Sequence, residues 1–222
     1  MSRRAVTLPA QASVKPAPVM RAAVAPIRLP EPVLDSTSSL ERCLRMRRSC
    51  RDFRDAPIPM RDLSQVLWAA QGVTGLGGLR TAPSPGALFA LRPYVIAGNV
   101  AGLPLGIYRF DPESHELIHV GSDDLRPSLE KAAGGQQCVG ACAAILLLAA
   151  NYARVAREYG AKAERLVHVE AGHVGQNVCL EATALGLGVI GIGAFDEAAV
   201  KAACKLPSRE DAVYMLAFGW KY

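Results

Sequence analysis

The chain has 222 residues, 50% hydrophobic, 20% charged and 6% aromatic, with a formal net charge of +5. That length suits one large domain or two small ones, and the apolar fraction excludes a wholly disordered chain. The charge is local, +5 over residues 1–30, +5 over 42–54 and −2 from Asp55 onward, so no extended nucleic-acid face is expected.

Residues 1–34 contain six prolines and neither glycine nor an aromatic residue. The segment is expected to be extended or disordered by itself, or laid along a partner, with the folded domain spanning 35–222. No apolar stretch follows Arg3-Arg4 before proline intervenes, so a signal peptide is not expected. Ser38-Ser39-Leu40-Glu41 matches the S-x-x-E capping box and starts a short helix near Ser39. A second helix follows Pro59, with Leu63, Val66, Leu67 and Ala70 on one face. Strands are expected at Tyr94–Ala97, Gly106–Phe110 and Glu116–Val120, the last two joined by the Asp111–His115 loop. A helix over Leu125–Ala133 precedes an uncharged run, Cys138–Ala150, of 13 residues. A membrane span needs roughly 20 residues, so this run reads as a buried strand and no membrane partner is expected. A long helix over Ala163–Leu185 is apolar and small around much of its circumference, which predicts burial in a core or a subunit interface. A strand (Val189–Ile192), a helix (Glu197–Cys204) and a last strand (Val213–Phe218) complete an α+β pattern.

Several motifs fail on context. Gly186-Leu187-Gly188-Val189-Ile190-Gly191 is a literal GxGxxG, but a helix precedes it and a strand follows, the reverse of the dinucleotide-binding order. His168 and His173 are spaced i, i+5, off a common helical face, so no metal site is expected. The six cysteines form no CxxC and several sit in apolar stretches, which reads as reduced core thiols in a cytoplasmic setting.

Three guanidinium groups and a hydroxyl lie within Arg47-Arg48-Ser49-Cys50-Arg51. A small-residue loop, Arg80 to Leu88, precedes a strand, and Glu170-Ala171-Gly172-His173-Val174-Gly175-Gln176-Asn177 lies in the main helix. Gly186 to Asp196 then places glycine at alternating positions. In this order and spacing the segments resemble the FMN-dependent nitroreductase superfamily from about Ile27 to Phe218, and most closely its SagB-type and thiazole-oxidase-like dehydrogenases.

The resemblance implies a nitroreductase-like α+β fold with a central, mostly antiparallel sheet flanked by helices. It also implies a homodimer with FMN at the interface. Arg47, Ser49 and Arg51 would contact the flavin phosphate, ribityl chain and pyrimidine edge, with Arg48 beside them. Pro83, Ser84, Pro85, Gly86 and Ala87 would reach the ring from the other subunit. Gly191, Ile192, Gly193 and Ala194 would line the flavin N5, with the Gly193 backbone foremost; no side chain would be catalytic, because the flavin carries the redox work. The implied reaction is ping-pong, with NAD(P)H as donor and a small electron-poor acceptor, a nitroaromatic or quinone. Two departures stand out. The chain stops at Tyr222 without the basic tail of many members, leaving Lys221 to contact the phosphate, and the region Tyr159 to Arg165 lacks the adjacent Lys-Tyr pair of azoline oxidases. The alternatives are a flavin dehydrogenase or oxidase acting on a peptide or biosynthetic intermediate, and a flavin-binding protein without turnover.

Overall fold

The computed structural model describes residues 25–222; Arg3, Arg4, Lys15 and Arg21 of the basic N-terminal stretch lie outside the described residues. In chain order the elements are β1 (Ile27–Arg28), α1 (Leu40–Met46), α2 (Met60–Gln71), β2 (Val73–Gly75), β3 (Leu79–Arg80), β4 (Leu91–Ala97), β5 (Gly106–Asp111) and β6 (Glu116–Gly121). They continue as α3 (Arg126–Ala132), α4 (Gln137–Ala141), β7 (Ala144–Ala150), α5 (Tyr152–Tyr159), α6 (Ala163–Ala184), β8 (Leu187–Ile192), α7 (Glu197–Ala203) and β9 (Asp211–Trp220).

Seven strands form one sheet in the order β1-β6-β5-β4-β7-β9-β8, and β2 with β3 makes a separate ribbon. Every neighbouring pair in the large sheet is antiparallel, so the α+β architecture inferred from the sequence is present. Strand β7 (AILLLAA) is buried at every position. Its alternate side chains serve two cores: Leu146 and Leu148 pack with α2 and α6, and Ile145 and Leu147 with α3, α4 and α7. A strand covered on both faces must be apolar throughout, which explains the unbroken hydrophobic run.

Helix α2 follows Pro59 as the sequence predicts, and Leu63, Val66, Leu67 and Ala70 have no exposed surface. Helix α1 is capped one residue later than the S-x-x-E match suggests. Ser39 Oγ accepts the Arg42 N–H at 3.2 Å, so the third helical position is Arg42 and Glu41 only supplies negative charge to the first turn.

Two expectations need correction. Cys138–Ala141 are helical, and the strand begins only at Ala144, because an apolar run alone does not separate a strand from a buried helix. Glycine at 140 lets α4 close onto Glu130 of α3, where a Cβ would collide with the carboxylate. Within the single chain α6 buries Val167, Ala171, Val174 and Val178 and exposes Val169, Gly172, His173 and Gln176. Finally, Ile27 and Arg28, placed by the sequence reading in the extended segment, pair with Leu117 and Glu116 of β6. The segment then crosses α2, where Ser64 Oγ donates to Pro30 O at 2.6 Å and Gln65 exchanges two hydrogen bonds with the Val33 backbone.

Candidate functional site

Helix α1 ends at the basic stretch. The Arg47 N–H closes the last turn on Cys43 O at 2.9 Å, and the Arg48 guanidinium donates to Arg45 O and Arg47 O at 2.9 and 2.8 Å. These bonds satisfy carbonyls that a helix end leaves without partners. The chain then runs extended along the sheet. Ser49 bridges Val189 of β8, the Cys50 N–H donates to Val189 O at 3.0 Å, Phe53 bridges Lys221, and the Arg54 N–H donates to Trp220 O at 2.8 Å. Glycine at 188 permits this approach, since a Cβ there would lie 2.6 Å from Cys50 Sγ and 3.2 Å from Lys221 Cβ.

Backbone pairing thus brings residues 47–54 to the far end of the sequence. Arg48, Ser49, Arg51, Thr183, Gly188 and Lys221 line one cleft of about 370 Å³. Arg47 stands half-buried beside it, near enough to α6 to oppose the rise that burial imposes on the Cys179 thiol. Among the described residues none of Arg47, Arg48, Arg51 and Lys221 makes an ion pair. Asp52 also lines the cleft without pairing with any of them, and the excess of cations around a concave surface favours an anion there.

Beyond the cleft the floor is glycine. Gly191 lies on the α6 face of β8 and Gly193 just past its end, whereas Ile192 points into the opposite core, where it is buried. Only the backbone of Ile192 is therefore open to a ligand. A Cβ at 191 would collide with the Tyr214 hydroxyl, and one at 175 would lie 2.6 Å from the same ring, so two glycines seat Tyr214 between α6 and β8. At 193 nothing lies within 4 Å of the Cβ position. Ala194 is exposed.

The Pro83–Ala87 loop is elsewhere. It packs on α6 and precedes β4, which β7 and β9 separate from β8. No hydrogen bond joins it to residues 47–51 or 191–194 of the same chain among the described residues. Ser84 Oγ donates to Glu170 Oε2 at 2.7 Å and accepts the Phe89 N–H at 2.8 Å. Of the residues singled out in the sequence, then, the structure gathers Arg47, Arg48, Ser49, Arg51 and Lys221 at one end of β8 and Gly191, Gly193 and Ala194 at the other. The loop stands apart.

The Nitroreductase family model matches residues 44–220. The chain belongs to the nitroreductase family. A nitroreductase-type protein of Methanocaldococcus jannaschii is 40% identical over 167 residues, covering 75% of this chain and 84% of that protein. A nitroreductase-type crystal structure from Ralstonia eutropha superposes with a TM-score of 0.80 at 32% identity, covering 91% of this chain and 94% of the other. The NADPH:FMN oxidoreductase of Vibrio harveyi, complexed with NAD+, shares the fold at a TM-score of 0.60 and 20% identity, over 82% of this chain and 68% of that one. As a member of the nitroreductase family, the chain is an oxidoreductase.

For a nitroreductase the site contains residues that the motif did not reveal. Thr183 and Gly188 line the cleft, and Tyr214 covers Gly191. Gly188 had a legible signal, the alternating glycines of β8; Tyr214 had none, because its place depends on glycines in two other elements. Among the described residues no cluster of His, Cys, Asp or Glu is arranged to hold a metal, and His168 Nε2 instead meets the Tyr152 hydroxyl at 2.8 Å. Among them, too, no helix is long and apolar enough to cross a membrane.

Proposed function

We propose that this nitroreductase binds FMN and works as a homodimer with two cofactor sites between its subunits. NAD(P)H would be the donor and a small electron-poor acceptor, nitroaromatic or quinone, would be reduced in a ping-pong sequence. The observation that carries this reading is the pairing of cations without ion-pair partners around Ser49 with the open glycine position at 193. The first suits a phosphate, and the second suits a planar ring that must approach a backbone closely. The Vibrio harveyi protein, named for NADPH and FMN, supports the choice of donor.

FMN, when bound, supplies hydride acceptance and donation at its ring. Arg47, Arg51 and Lys221 would hold its anionic end, with Arg51 or a neighbouring guanidinium favouring negative charge at the pyrimidine edge. Arg48 would contribute while still capping α1, and Ser49 would donate to the polar chain. The peptide groups of Gly191 to Ala194 would orient the ring edge, leaving its face free for stacking. Pro83 to Ala87 would close the site from the partner, consistent with the loop's separation from β8 in its own chain.

The test is a visible spectrum of protein purified without added cofactor, followed by anaerobic titration with NADH and NADPH. A bound-flavin spectrum that bleaches with one of them is expected. A charge-assisted hydrogen bond contributes about 1.5–3 kcal/mol, so replacing both Arg47 and Arg51 with Ala should weaken FMN binding at least ~100-fold in a chain that still folds. Full flavin occupancy in that double variant would remove the assignment of these arginines.

A further inference from the structure

Helix α6 carries a stretch, Glu170 to Asn177, that the cofactor reading leaves unused. Glu170 has no exposed surface. Its Oε2 accepts the Ser84 hydroxyl, while Oε1 is buried without a hydrogen-bond partner among the described residues. Burial raises its pKa above the ordinary carboxylate value; the Ser84 hydroxyl, the Leu91 and Ala90 N–H groups and the Arg80 charge oppose the rise. A polar group so enclosed is costly to leave without its hydrogen-bond partner.

What Glu170 holds is strained. Gly86, Ala87 and Phe89 have φ of 56°, 52° and 47°, left-handed conformations that cost energy at the two residues other than glycine. Ser84 relays the grip, since the same oxygen that meets Glu170 also accepts the Phe89 N–H. Arg80 stacks on the Phe89 ring at 4.5 Å and donates to Gln71 Oε1 at 2.7 Å. Two helical turns after Glu170, Asn177 Nδ2 donates to Thr81 O at 3.2 Å and to Ala69 O at 3.1 Å. Positions i and i+7 share a helical face, so one face of α6 grips the start and the middle of the Thr81–Phe89 segment.

We propose that Glu170 is a positioning residue that, through Ser84 and in concert with Asn177, fixes this loop in its left-handed form for presentation to the neighbouring subunit's site. The presentation rests on the function proposed above; the clamp does not. Strain of this kind persists only where the surroundings overdetermine it, and Glu170 holds Ser84 from outside the loop while Asn177 and Arg80 hold its two ends.

The test is hydrogen exchange of residues 84–89 in the purified dimer for the wild type, S84A, E170A, E170Q and S84A/E170A, with acceptor kinetics on the flavin-loaded forms. S84A and E170A should each speed exchange of the Phe89 amide about tenfold, the scale of one buried hydrogen bond. E170Q keeps an acceptor oxygen for the Ser84 hydroxyl and should stay near wild type. The double variant should exchange no faster than S84A, because both residues act through one contact. In kinetics E170A should raise the acceptor KM about tenfold with kcat within about twofold, and E170Q should restore it. Additive exchange in the double variant, or a loss of thermal stability with exchange and KM unmoved, overturns the clamp. Wild-type protein that purifies and reconstitutes without flavin would instead sink the cofactor reading, leaving the exchange data to judge the clamp alone.

Discussion

Gly191 in β8 and Gly193 just past its end are two residues apart, yet a side chain would meet opposite surroundings at each. At 191 it would strike the Tyr214 hydroxyl, whereas at 193 it would enter open space. Gly191→Ala should therefore destabilise the fold by about 1–3 kcal/mol, the cost of overpacking, as Tyr214 is displaced. Gly193→Val should leave stability within about 0.5 kcal/mol but expel flavin by filling the vacant face. Thermal melts and flavin absorbance on both variants separate the two effects; a Gly193→Val protein retaining its full colour would show that the ring does not lie there. The alternating glycines were legible in the sequence because a strand repeats every two residues. Which of them borders the cleft was not. Nor was the alternation that turns Ile192 away, since the sequence alone does not say which face of β8 meets α6.

At the scale of elements, the long helix α6 sets much of the chain's pH response. It carries Glu170 and Glu181, both raised above the carboxylate value of 4.5 by burial, with Ser84 and Gln65 respectively opposing through hydrogen bonds. A folded pKa above the unfolded one means that the native state holds a proton the unfolded chain releases. The associated stability is complete below about pH 4.5 and is lost as pH rises through the folded values. Urea midpoints should accordingly fall from about pH 5 to 8, and E170Q should flatten that fall, leaving the part due to Glu181. An E170Q profile parallel to wild type would show that Glu170 ionises no differently in the two states. The same helix shows where sequence reading succeeds. Its length and the α2 face were set by long periodic patterns. Helix α5 carried only eight residues and went unassigned, and α4 was absorbed into a strand because Cys138 to Ala141 continue the apolar run of β7. Short helices that bury only one or two residues, Val155 in α5 and Cys138 and Val139 in α4, leave no periodic mark.

For the whole molecule the decisive question is which chain completes which site. Arg47, Ser49 and Arg51 were legible as a cluster, but the partnership with Lys221 depends on backbone pairing between residues 53–54 and 220–221, which no local pattern encodes. The loop at 83–87 lies beyond two intervening strands from β8. Leu40, Leu44 and Met46 of α1 and Val169 of α6 are exposed apolar residues that the proposed dimer would cover. If the loop acts across the dimer, two defective subunits can complement. One variant would carry Arg47→Ala and Arg51→Ala. The other would carry Gly86→Val, which forces a β-branched residue into a left-handed position with the Tyr159 hydroxyl 3.0 Å from the new Cβ. Each homodimer has two damaged sites. A heterodimer gathers both defects into one site and leaves the other intact. Random mixing makes half the dimers mixed, so about a quarter of wild-type activity should return after co-refolding of two inactive proteins. A site built within one chain would return none, because every subunit would keep its own lesion.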